Sequence, residues 1–238
     1  AGSRAGSLAL PALRTRPAAG RAGGVRTPPP IRLVLFDFDG VLVRYAHRAR
    51  LASLARVAGC TPQRVSEALF DSGLERAYDS GAIDTTTYLQ RLGARIGATI
   101  DAAAWIEARV AGTQGDPAVC ALAASLGARV ELGVLTNNGA LLLDAIPRIV
   151  ASLWPMLDGR VLCSGVLGAR KPDRMIFERA LAHFDTPARE ALLLDDLFVN
   201  VQGARDAGLH ADTVVDARSM RTVLRRYGVL PTGVGAAF

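Results

Sequence analysis

Residues 33 to 43 read Leu33-Val34-Leu35-Phe36-Asp37-Phe38-Asp39-Gly40-Val41-Leu42-Val43, an apolar run that ends in two carboxylates one residue apart, then a glycine. A continuous apolar run of this length fits a parallel strand buried on both faces rather than an amphipathic one. Gly40 and the Leu-Val pair after it indicate that the strand stops here and the backbone turns over its own tip. In parallel sheets, ligands sit beyond the carboxyl ends of the strands. Two acids at such a place are costly to desolvate unless a cation or a proton accompanies them. A lone Asp-x-Asp-Gly also reads as an ordinary turn, so the rest of the chain has to decide.

Three more tips follow. Glu131 to Leu135 runs into Thr136-Asn137-Asn138-Gly139, Ala191 to Leu194 runs into Asp195-Asp196 with Asn200 four residues on, and Lys171-Pro172-Asp173 precedes a helical pattern through Met175, Ile176, Phe177, Ala180 and Leu181. Pro172 fits the first turn of that helix, where its missing N–H costs nothing. Each tip alone reads equally as a turn or a cap; four in one chain point to one shared polar site. Lys171 is the single lysine, the other 27 basic residues being arginine. A chain so biased toward arginine has kept a compact point charge with three rotatable donors at one position, as a crowded phosphate or carboxylate site requires. The sequence places it at a solvent-facing tip.

The ordered set Asp37-x-Asp39-Gly40, Thr136, Lys171-Pro172 and Asp195-Asp196 with Asn200 resembles the haloacid dehalogenase-like hydrolase superfamily, and Gly203-Ala204 with Ala207-Gly208 extends the match. It is most similar to the phosphatase-type subfamily with a helical cap inserted after the first core strand. The resemblance implies a doubly wound, Rossmann-like parallel α/β sheet with a small inserted α-helical cap. It also implies a Mg²⁺-dependent phosphatase acting on a small phosphorylated metabolite. In that reading Asp37, the backbone carbonyl of Asp39 and the carboxylate of Asp196 hold Mg²⁺, an ion that suits oxygen ligands, with Asp195 just outside. Asp37 becomes an aspartyl-phosphate. Asp39, kept protonated among like charges, serves as acid and then base. Thr136, the Asn137 N–H and Lys171 hold the phosphate oxygens, and Asn200 steadies Lys171 or the acidic loop. The second acid, Asp39, favours phosphoryl over haloalkane chemistry.

The 238 residues suffice for one good-sized core and a smaller accessory unit. Residues 1–30 are mostly Ala, Gly, Pro and Arg, with five arginines and no acid, ending in Pro28-Pro29-Pro30. Such a stretch offers too little apolar surface to offset its ordering entropy, so a disordered tail is expected. Without its five arginines the formal charge drops from +6 to +1. The basic character is a property of this tail, and no folded basic stripe for nucleic acid is expected.

Residues 46–115 carry helix-start signals at Thr61-Pro62, Asp84 and Asp101 and are expected to form the cap. Residues 31–45 and 116–238 form the core, beginning with the helix start at Asp116-Pro117. Strands are expected near 130–135, 160–164, 191–195 and 212–215, alternating with helices as in a parallel sheet. Cys60, Cys120 and Cys163 lack metal-ligand spacing and read as small buried hydrophobes. Of the histidines only His47 lies near the site; Arg44 and Tyr45 share its position. No apolar run approaches the roughly 20 residues of a membrane span, and a reducing, cytoplasmic setting is expected.

Three alternatives share parts of the pattern. A phosphomutase of the same superfamily uses the same core residues and returns the phosphoryl group to substrate. A dehalogenase typically lacks the second acid. A phospho-accepting signalling module places its acidic pair after the first strand, whereas here the pair comes last. The sequence leaves the substrate and the oligomeric state open.

Overall fold

The computed structural model describes residues 30–231; the expected tail over 1–30 therefore lies outside the described residues except for Pro30. In chain order the elements begin with β1 (Leu33–Phe36), β2 (Val43–Tyr45), α1 (His47–Ala58) and α2 (Pro62–Ser66), which passes directly into a π-helical turn (Glu67–Asp71). Then come α3 (Leu74–Asp79), α4 (Thr85–Ile96), α5 (Ala102–Ala111), β3 (Thr113–Gly115), α6 (Pro117–Leu126), β4 (Glu131–Thr136) and α7 (Leu142–Ile149). The chain continues with β5 (Val161–Cys163), α8 (Ser164–Leu167), α9 (Arg174–His183), β6 (Ala191–Asp195), α10 (Phe198–Asp206), β7 (His210–Thr213) and α11 (Ala217–Arg226).

Five strands form a parallel sheet in the order β5-β4-β1-β6-β7. β1 is central, and its apolar run has a simple cause. Val34 and Phe36 belong to a cluster with residues of α6, α7 and α11 on one face. Leu33 and Leu35 belong to a second cluster with residues of α9 and α10 on the other. Alternation along a strand buried on both sides leaves no position for a polar residue until the strand ends. The chain leaves β1 for β4 on one side and β6 on the other, so the order reverses at β1, the place where open α/β sheets bind ligands.

Helices α1–α5 form their own apolar cluster around Leu54, Leu69, Tyr88, Leu92 and Trp105. Their starts follow side-chain chemistry: Asp84 accepts from the Thr87 N–H and Asp101 from the Ala104 N–H, each at 2.7 Å. Each such cap contributes about 1 kcal/mol. The two crossings between helices and sheet pass through an antiparallel ribbon of β2 and β3, which the sequence reading did not anticipate.

Other differences are local. Pro172 does not open α9: that helix starts at Arg174 with Asp173 as its N-cap. β7 begins at His210, two residues before the expected strand. Cys60 lies half-buried in the bend after α1 rather than in a helix, whereas Cys120 and Cys163 are buried. Among the described residues, no helix is long and apolar enough to cross a membrane.

Candidate active site

Three neighbouring strands, β4, β1 and β6, end side by side, and each delivers polar groups to the same place. Asp37 follows β1, Thr136 closes β4 and Asp195 closes β6. Lys171, from the loop before α9, reaches in beneath them. Its Nζ lies 3.0 Å from Asp37 Oδ1 and 2.6 Å from Asp195 Oδ2, and its side chain is 0% exposed. Lys171 is thus fully buried between two carboxylates, not solvent-facing as the sequence placed it. Burial alone would lower its pKa, but Asp37 and Asp195 outweigh that and hold it above the ordinary lysine range.

The acids have different supports. Asp195 accepts from Asn200 Nδ2 at 3.0 and 3.2 Å and from the Leu197 N–H at 2.9 Å. Asn200 therefore steadies the acidic loop, through which it also holds the partner of Lys171. Asp37 Oδ1 accepts from the Phe38 N–H at 2.7 Å. Its carboxyl is pushed up to about 7, chiefly by burial, with Lys171 pulling the other way. Burial and then Asp195 also raise Asp196. Ligand oxygens of Asp37, Asp195 and Asp196 lie within 4.8 Å of one another. Three carboxylates face a single ammonium, an imbalance that a cation would correct.

Gly40 is needed on two counts. Its φ of 87° is one that L side chains rarely adopt, and a Cβ there would lie 2.6 Å from Asp196 Cγ. The glycine thus lets the turn after β1 pass against the acidic loop. Gly203 plays a similar part for the lysine loop: a Cβ would stand 2.7 Å from Pro172 Cβ.

The tip of β4 is tied to both sides. Asn137 Oδ1 accepts from the Lys171 N–H at 2.8 Å while its Nδ2 donates to the Lys171 carbonyl at 3.0 Å, fixing the lysine loop. Asn138 Nδ2 donates to Thr136 Oγ1 at 2.8 Å and to Asp39 Oδ2 at 3.1 Å. Because the buried Thr136 hydroxyl accepts from Asn138, its own proton remains free to donate.

Asp39 departs from expectation in its company. Arg109, from the last turns of α5, places Nη2 2.6 Å from both of its carboxylate oxygens and is itself 1% exposed. Its guanidinium also lies 4.0 Å from the Tyr45 ring centroid. The like-charge surroundings expected for Asp39 are thus offset by a guanidinium from the inserted helices. Sequence reading missed Arg109, since one arginine among 27 carries no signal, and it assigned no role to Asn138. Arg44, by contrast, is exposed and pairs with Asp116 at 3.1 Å. His47 stands next to Tyr45, ring centroids 4.2 Å apart; burial, followed by Arg50, lowers its pKa.

Residues 31–208 match the haloacid dehalogenase-like hydrolase family, and this chain belongs to it. A curated relative, the sesquiterpene phosphatase astK of Aspergillus oryzae, is 33% identical over 73 residues, 31% of this chain. The match spans 37% of that relative's length. Among solved structures, a HAD-like family hydrolase from Porphyromonas gingivalis superposes with a TM-score of 0.68 at 22% identity, covering 83% of this chain and 99% of that one. A HAD family enzyme from Bacteroides thetaiotaomicron, in complex with magnesium and inorganic phosphate, gives 0.64 at 16% identity, covering 77% and 93%. Likeness at these identities establishes a shared fold, and the family match establishes a hydrolase.

Proposed function

We propose that this protein is a Mg²⁺-dependent phosphatase that hydrolyses a small phosphomonoester through an aspartyl-phosphate on Asp37. The observation that carries the reading is the placement of Lys171 between Asp37 and Asp195, with Asp196 close by. This is a buried acidic cluster with too little positive charge of its own. An all-oxygen donor set of this kind suits Mg²⁺. Asp37, the Asp39 carbonyl and Asp196 would hold it, with Asp195, already engaged by Lys171 and Asn200, just outside. When bound, the ion supplies positive charge that offsets the repulsion between a carboxylate and a phosphate dianion.

The chain's own groups account for the remaining chemistry. The Asp37 carboxylate attacks phosphorus, and the bond from phosphorus to the leaving oxygen breaks. To act as the acid, Asp39 must take up a proton and loosen its pair with Arg109 as the phosphate binds. It then gives that proton to the leaving oxygen, so an alcohol departs. Asp39 then takes a proton from the water that attacks the phosphorus of the aspartyl-phosphate, releasing inorganic phosphate and restoring Asp37. Thr136 through its free hydroxyl proton, the Asn137 N–H and Lys171 hold the phosphate oxygens, where positioning and charge neutralisation supply most of the rate.

The division of labour is part of the proposal: a catalytic core of 31–45 and 116–238 and a cap of 46–115. Its support is the apolar cluster built mainly from α1–α5, which takes in Leu141 from the core side. The relative's name and the neighbour's magnesium and phosphate favour phosphatase chemistry over haloalkane hydrolysis. Three free cysteines fit a reducing, cytoplasmic setting. The test is release of inorganic phosphate from a panel of phosphomonoesters. Release should require Mg²⁺ and stop with chelator, and full activity in excess chelator would refute the metal assignment.

A further inference from the structure

We propose that the alcohol carried by the substrate's phosphate is apolar, and that it binds along two surfaces that begin at the acidic site. One is the aromatic strip Tyr45, His47 and Phe70; the other is the lip Leu197, Phe198 and Val199. The inference deepens the phosphatase reading and rests on it.

The strip starts where the leaving group must lie. Arg109 grips both oxygens of Asp39, the acid assigned to the leaving oxygen, and its guanidinium covers the Tyr45 ring at 4.0 Å. The Tyr45 hydroxyl accepts from Arg50 Nη1 at 3.0 Å, so the ring is pinned at both ends. His47 follows at 4.2 Å between centroids, and Phe70 packs edge-on to His47 at 5.6 Å. The row thus leads from a fully buried arginine to a phenylalanine that is 37% exposed. Phe70 sits in the π-helical turn, a distortion that recurs at functional sites. The strip offers ring faces, one imidazole and a Tyr45 hydroxyl already engaged by Arg50, few partners for a polyhydroxylated sugar.

The lip is a separate observation. Leu197, Phe198 and Val199 directly follow Asp196 and are 52%, 64% and 56% exposed, while Asn200 turns inward to Asp195. Single exposed hydrophobes are common on protein surfaces. Three in succession, next to a cluster of buried charge, present apolar surface that suits an apolar occupant. An apolar alcohol esterified to phosphate is amphipathic in the matching sense, with its anion at Lys171 and its carbon chain on the rings and lip.

The test is a series of n-alkyl phosphates from ethyl to decyl, below their micelle concentrations and with Mg²⁺, alongside glucose 6-phosphate. Wild-type kcat/KM should climb about two- to fourfold per added methylene, mainly through KM, as expected when methylenes leave water. Phe70→Ser and Phe198→Ser should flatten the climb, losing about tenfold more on decyl than on ethyl phosphate. Val57→Ser, an exposed apolar position in the last turn of α1 that belongs to neither surface, should keep the wild-type slope. Melting curves confirm that the variants fold. Brisk turnover with no dependence on chain length, or a preference for glucose 6-phosphate, would overturn this inference and leave the phosphatase reading standing. So would an intact slope in both variants, or Phe198→Ser converting a dimer to a monomer while the slope persists. Failure to hydrolyse any phosphomonoester would overturn both.

Discussion

Lys171 holds one ammonium against Asp37 at 3.0 Å and Asp195 at 2.6 Å, with its own side chain fully buried. Burying three charges together is tolerable only because each partner is within hydrogen-bond reach. A guanidinium keeps the charge but is wider and planar, and its fork does not match two carboxylates approaching a single point. Lys171→Arg should therefore lower kcat/KM about 10²-fold or more, comparable to removing a positioned electrostatic donor. Because the position is buried, the variant should also melt at a lower temperature. Steady-state kinetics with a melting curve check both, and a variant within a few-fold of wild type would contradict the role. The importance of this residue was legible as the one lysine in an arginine-rich chain. Its burial was not, because the strand tips that enclose it meet only in the folded sheet.

At the scale of elements, strand ends and helix starts were readable because their causes are local. The apolar runs stop at Asp37, Thr136 and Asp195, and Asp84, Asp101 and Asp116 cap helices with their own side chains. The ribbon of β2 and β3 was not readable: its strands have three residues each and exist by pairing across the inserted helices. Neither was Arg109, which the last turns of α5 and the Thr113 hydroxyl bond to its carbonyl at 2.7 Å set over Asp39. On the proposed mechanism Arg109 acts through Asp39, as a positioning residue. Arg109→Met should slow hydrolysis of alkyl phosphates, whose leaving oxygen needs a proton, about tenfold more than that of p-nitrophenyl phosphate, whose leaving group departs without one. Equal losses on both ester types would show that the arginine only supports the fold.

At the scale of the whole molecule, one of the junctions that seat the inserted helices on the core lies at Tyr78. The Tyr78 ring lies against Gly139, where a Cβ would come within 2.6 Å of its Cζ. The Tyr78 hydroxyl accepts from the Leu141 N–H at 2.9 Å, and the Ser164 hydroxyl donates to the Asp79 carbonyl. The Asp79 carboxyl is pushed up to about 8, chiefly by burial and then by Glu75. An unfolded aspartate titrates near about 3.9. Between those values the folded chain keeps a proton that the unfolded chain has lost. This contribution to stability is whole below about pH 4, declines as pH rises and is gone above about pH 8. Asp79→Asn should therefore gain melting temperature relative to wild type between about pH 5 and pH 8, by several degrees at about 2–4 °C per kcal/mol. A difference that does not change with pH would refute the protonated seat. The central claim concerns the core rather than the seat, and borohydride trapping during turnover of a phosphomonoester with Mg²⁺ tests it most directly. Peptide mass spectrometry should find homoserine in place of Asp37, the mark of an acyl-phosphate reduced there. Reduction at another residue, or rapid turnover with no trapped residue, would contradict the account.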